Sequence, residues 1–110
     1  MGFLAKLFGG TDINEALKEV QSTAGAILVD VRNSDEFASG HIPGAVNISV
    51  DRILDIKSAV SSKDAPIYTY CLTGRRSGRA VAALKSAGYT NVKNIGGINS
   101  YRGLVERGTK

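Results

Sequence analysis

Cys71 is the only cysteine in the 110-residue chain, and it closes the apolar run "PIYTY" just ahead of "LTGRRSGR". Arg75, Arg76 and Arg79 follow it closely. A thiol kept for packing calls for apolar neighbours and gains nothing from guanidinium groups. A reactive thiol works as its thiolate, which cations and N–H groups stabilise. The residue types around Cys71 therefore suit nucleophilic sulfur chemistry on an anionic ligand.

The rest of the inventory narrows the chemistry. One cysteine cannot form an internal disulfide, and with His41 as the sole histidine the chain lacks the usual ligands of a zinc site. The expectation is a reaction without metal or cofactor, in a reducing and hence cytoplasmic setting. The formal charge is +4, and no Asp or Glu lies between Cys71 and Val105. Arg75, Arg76, Arg79, Lys85, Lys93 and Arg102 fall in that stretch, so this half should draw small anions. There is no basic run or aromatic-basic interleaving of the kind that reads nucleic acid.

The elements that must position the thiol follow from pattern. "TDINEALKEVQSTAG" reads as a helix capped by Asp12, with Glu15 closing a capping box and Ile13, Ala16, Leu17 and Val20 on one face. "AILVDVR" is a β-branched apolar run, as in a strand covered on both sides. "NSDEFASG" is a short helix started by Asn33 or Ser34 and ended by Gly40; "HIPGA" is a turn, and "AVNISV" a second strand. "DRILDIKSAV" predicts an amphipathic helix burying Ile53, Leu54, Ile56 and Val60. "APIYTYC" is the third strand, and "RRSGRAVAALKSAGY" a helix pressing Ala80, Val81, Ala83, Leu84 and Ala87 on the sheet. "NVKNIGG" is a fourth strand and "INSYRGLVERG" a last short helix. Strand–helix alternation predicts an α/β domain with a parallel sheet of four to five strands and helices on both faces. One such domain spans 12–110, behind a short tail, 1–11. In that tail Phe3, Leu4, Leu7 and Phe8 share a helical face, but no stretch is long enough to span a membrane.

In an open parallel sheet, ligands gather where strands end and helices begin. Cys71 stands at such a point. The helix opening near Arg76 offers free N–H groups and a partial positive charge. A helix terminus contributes about 0.3–1 kcal/mol, and up to about 2 in partly buried geometry. Direct N–H bonds and an arginine are expected to supply the remaining thiolate stabilisation.

Three segments in order, "LVDVRNSDEFASGHIPGAVNI" (28–48), "YCLTGRRS" (70–77) and "NVKNIGGINSY" (91–101), resemble the single-domain rhodanese family of sulfurtransferases. They correspond to that family's Asp-x-Arg strand end, its Gly-His-Ile-Pro-Gly-Ala turn, its cysteine loop and its Gly-Gly segment. Tyr101 stands where the family often has Trp. Dual-specificity phosphatases share the fold but place five residues between Cys and Arg. Here four residues separate Cys71 from Arg76, and Ser77 occupies the phosphatase arginine's place.

The resemblance implies Cys71 as catalytic nucleophile, with Leu72, Thr73, Gly74, Arg75, Arg76 and Ser77 as the substrate-binding loop. Sulfur would pass from a small anionic donor such as thiosulfate to cyanide, a thiol or a sulfur-relay protein, with the chain acting as a monomer. Arg76 is expected to hold the ring and the donor's sulfonate, Arg75 to steer, Arg79 to share the face of Arg76, and Ser77 to cap the helix or bond loop carbonyls. His41 is expected to organise its turn, Asp30 and Arg32 to form an ion pair, and Gly96 and Gly97 to permit close backbone approach. Two other classes remain open: a persulfide carrier serving a protein partner, and a redox-sensing thiol.

Overall fold

The computed structural model describes residues 12–109; the tail outlined above lies outside them. Four strands, β1 (Ile27–Asp30), β2 (Val46–Asn47), β3 (Ile67–Cys71) and β4 (Val92–Gly97), form one sheet in the order β2-β1-β3-β4. Every pairing is parallel. Strand alternation sorts the core. Val29, Ile67, Cys71 and Val92 face one side, where helix α3 (Arg75–Ser86) and the 3-10 helix Val50–Ser58 add Ala80, Leu84, Ile53 and Ile56. Leu28, Tyr68, Tyr70 and Ile95 face the other, where helix α1 (Ile13–Ser22) adds Ile13 and Leu17.

Local chemistry sets the element ends. Asp12 caps α1 by accepting the Asn14 N–H at 2.9 Å, while Glu15 turns away to Lys18 at 3.1 Å, so the expected capping box is not made there. The reciprocal box does form on helix α2 (Ser34–Ser39), between Asn33 and Glu36. Beyond α3, the Gly88 N–H bonds back to Lys85 O.

Three expectations are corrected. The second strand pairs over only two residues; beyond them the Ile48 and Val50 N–H groups still reach Asp30 O and Val31 O, before the chain turns into the next helix. The segment after it is a 3-10 helix kinked at Arg52 rather than one α-helix, and the tighter winding leaves Leu54 44% exposed. The final helix is a three-residue 3-10 turn, Ile98–Ser100. After it the chain runs as an extended strap: His41 and Glu106 exchange N–H···O bonds of 2.8 and 2.9 Å, and the Gly108 N–H reaches Ala38 O at 2.8 Å.

Candidate active site

The C-terminal ends of β1 and β3 and the start of α3 meet around Cys71. Buried Asp30, at the end of β1, accepts from the Arg32 side chain at 2.7–3.1 Å and from its backbone N–H at 2.9 Å. Arg32 Nη2 also donates to Gly40 O at 2.7 Å, so this pair ties the strand end to the end of α2. His41 stacks on Phe37 at 3.6 Å, and its Nδ1 lies 2.8 Å from Phe37 O. Its place is the turn after α2, bonded to the C-terminal strap and not to the cysteine loop.

The backbone of β4 lies close against the loop itself. Thr69 pairs with Asn94 but Cys71 pairs with Gly97, so β4 carries one extra residue between the two. Gly96 takes up this bulge at φ +108°. Gly97 then passes beneath the loop so closely that a Cβ there would collide with Leu72 O and lie 2.6 Å from Thr73 Cα. The Asn99 N–H holds Leu72 O at 3.2 Å.

Within this cradle Cys71 is 1% exposed, and its Sγ accepts the Gly74 N–H at 3.0 Å. The Ser77 hydroxyl lies 3.5 Å from Sγ. Burial is the largest influence on the thiol and pushes its pKa up. Hydrogen bonds from the Ser77 hydroxyl and from the N–H groups of Ser77, Gly74 and Thr73 together outweigh it, leaving the pKa below the ordinary thiol value. Of the N–H bonds and arginine expected to stabilise the thiolate, the loop N–H groups do so, joined by the Ser77 hydroxyl.

The basic residues divide accordingly. Arg76 is clasped bidentately by Glu36 of α2, at 2.7 and 3.0 Å, and acts on the Cys71 charge through space. The bond from Arg76 is the main cause that holds the Glu36 carboxyl down at about 2. Arg75 and Arg79 are exposed, with no ion-pair partner among the described residues. Leu72 and Thr73 are exposed at the rim. Ser77 is fully buried and does not cap α3, whose first turn has no side-chain cap; its hydroxyl lies 2.7 Å from Asn94 Oδ1.

Asn94 is the residue that sequence reasoning missed. Its Nδ2 donates to Gly74 O at 2.8 Å, and its Oδ1 accepts the Gly96 N–H at 3.0 Å, bracing loop and bulge together. A polar residue interrupting a buried strand was the available signal. Among the described residues there is no cluster of His, Cys, Asp or Glu able to hold a metal, and no helix long and apolar enough to cross a membrane.

A parallel α/β sheet with a cysteine cradled by amides at a strand-to-helix junction defines a class of α/β domains whose site is a single anion-accepting thiol. The chain belongs to the rhodanese-like domain family, which it matches over residues 13–104. Thiosulfate sulfurtransferases are among its relatives. It is 38% identical over 71 residues to the thiosulfate sulfurtransferase PspE of Escherichia coli strain K12, covering 64% of this chain and 68% of that protein. It is 36% identical over 89 residues to the thiosulfate sulfurtransferase GlpE of Pseudomonas fluorescens, covering 80% and 77%. Among solved structures, a rhodanese with anions from E. coli superposes with a TM-score of 0.70 at 33% identity, over 76% of this chain and 99% of that one.

Proposed function

We propose that the chain transfers a sulfane sulfur from an anionic donor such as thiosulfate to a thiol or to cyanide, through a persulfide on Cys71. The observation that carries this reading is the Gly74 N–H aimed at Sγ from 3.0 Å inside the short loop between β3 and α3. The donor set around Sγ suits an anion on that atom, whether the charge sits on thiolate or on the outer sulfur of a persulfide.

The steps balance without an external oxidant. The Cys71 thiolate attacks the outer sulfur of thiosulfate; an S–S bond forms, the donor's S–S bond breaks, and sulfite leaves with the electron pair. Cyanide or a thiolate then attacks the outer sulfur of the persulfide, and the Cys71 thiolate departs unchanged. Loop N–H groups meet the charge at each stage and require no reorganisation. Arg76, fixed by Glu36, supplies a nearby positive potential. Exposed Arg75 and Arg79 draw the donor toward the rim.

Thiosulfate:cyanide turnover compared between the chain and Cys71→Ser tests this. Transfer present in the first and absent in a folded Ser variant is the expected result; equal rates in the two would sink it. A second reading rests on the burial of Cys71 under an exposed Leu72, which suits delivery to a docked protein better than to a freely diffusing acceptor. In that case small-donor turnover is slow, while mass spectrometry of the cellular protein finds one reductant-labile sulfur on Cys71.

A further inference from the structure

The Ser77 hydroxyl faces two acceptors with one hydrogen. Asn94 Oδ1 lies at 2.7 Å, the favoured O–H···O distance, and Cys71 Sγ at 3.5 Å. The direction of the Asn94 amide is set by its other bonds. Its nitrogen must donate to Gly74 O and its oxygen must accept the Gly96 N–H, so a flipped amide would oppose both. The Ser77 hydrogen therefore points at Asn94, and a lone pair of its oxygen faces Sγ. That arrangement suits a protonated thiol, which can donate to Oγ. It does not suit a thiolate, which needs the same hydrogen turned toward sulfur.

We propose that Asn94 is a positioning residue for Cys71: it competes with the thiolate for the Ser77 hydrogen and so sets how readily the thiol ionises. Asn94 does not touch the sulfur: it acts on it through Ser77, and it braces Gly74 separately. When Cys71 ionises or carries a persulfide anion, the hydroxyl rotates to Sγ and leaves Asn94 Oδ1 to the Gly96 N–H. The bond to Gly74 O holds the loop closed throughout, so the switch costs no backbone movement.

This rests on Cys71 as the reacting group, but it is measured without sulfur transfer. The rate of Cys71 alkylation by iodoacetamide is followed against pH in the unaltered chain, Asn94→Ala, Ser77→Ala and the double variant. With Ser77 present, Asn94→Ala frees the hydrogen for sulfur and contributes a downward shift of about 0.7 pH unit, the effect of one ordinary hydrogen bond. In the Ser77→Ala background the same substitution lacks that contribution. Loosening of the loop through loss of the Gly74 bond is common to both backgrounds and drops out of the difference. The charged groups on the elements around the thiol, Arg75 and Arg76 of α3, Glu36 of α2, and Asp30 and Arg32 at the end of β1, are the same in all four proteins.

Equal shifts in the two backgrounds overturn the proposal. Should Asn94→Ala not fold, Asn94→Leu keeps the branched shape and runs the same cycle, with circular dichroism reporting the fold. Thiosulfate turnover of the unaltered chain separates the two readings. No turnover with the coupling present removes the functional reading and leaves this one; turnover without the coupling does the reverse.

Discussion

Replacing Gly97 by alanine isolates the contact on which the cysteine loop depends. The backbone at Gly97 is extended, with φ −126° and ψ 143°, so alanine meets no conformational objection there. The added methyl does. It would overlap Leu72 O and stand 2.6 Å from Thr73 Cα and 2.7 Å from Leu72 C, against a carbon–carbon optimum of about 3.5–4.0 Å. The loop must retreat by about 1 Å to admit it. That displacement stretches the Gly74 N–H···Sγ bond beyond its present 3.0 Å and the Asn99 N–H···O=C bond to Leu72 beyond 3.2 Å. Misplacing a reacting atom by about 1 Å costs on the order of 100-fold in rate. Overpacking of this kind destabilises by about 1–3 kcal/mol, which lowers Tm by at least about 4 °C. Thiosulfate:cyanide turnover, alkylation against pH and a thermal melt measure the three effects. The expected variant is folded, slower by about two orders of magnitude, and has a raised alkylation midpoint. A Gly97→Ala protein with unaltered turnover and an unaltered alkylation profile refutes the idea that the close crossing of β4 shapes the sulfur site.

Two further substitutions test the charges behind the loop. Asp30→Asn removes one partner of a fully buried ion pair and leaves Arg32, itself 5% exposed, without its counter-charge; denaturant unfolding should show a loss of about 3–5 kcal/mol. Glu36→Gln opens the clasp on Arg76. At neutral pH this should cost about 1 kcal/mol and lower Tm by about 4 °C, since the pair is bidentate but partly exposed. The folded Glu36 carboxyl lies at about 2, below the ordinary value of 4.5, so its contribution is complete above 4.5 and lost as pH falls toward 2. The melting curves of the two proteins should therefore converge across that interval, and a gap that persists at the acid end contradicts the assignment.

The parts of this molecule that could be read from its residues are those in which local pattern and final structure agree. The apolar runs ending in Asp30 and Cys71 are strands because β-branched and aromatic side chains line both of their faces, and a parallel sheet buries both. The start of α2 at Asn33 is local capping chemistry, and it stands where the residues placed it. The losses came where distant chain decides. "INSYRGLVERG" has helical spacing, yet the backbone groups of Glu106 find partners in His41, 65 residues away, and helix is abandoned. The bulge that sets Asn94 against Ser77 lies in the register of β3 on β4, which no count of residues within either strand contains. The partner of Arg76 was hidden for a related reason: Glu36, which clasps its guanidinium, lies 40 residues earlier. What then reaches the sulfur is the loop's own amides and one hydroxyl, groups that every residue or a plain serine can supply. Their power lies in direction, and direction comes from Gly97 beneath and Asn94 beside. The surroundings of Cys71 are thus a property of how β4 meets the loop, which is why substitutions in that strand, distant in sequence, should register in its alkylation profile.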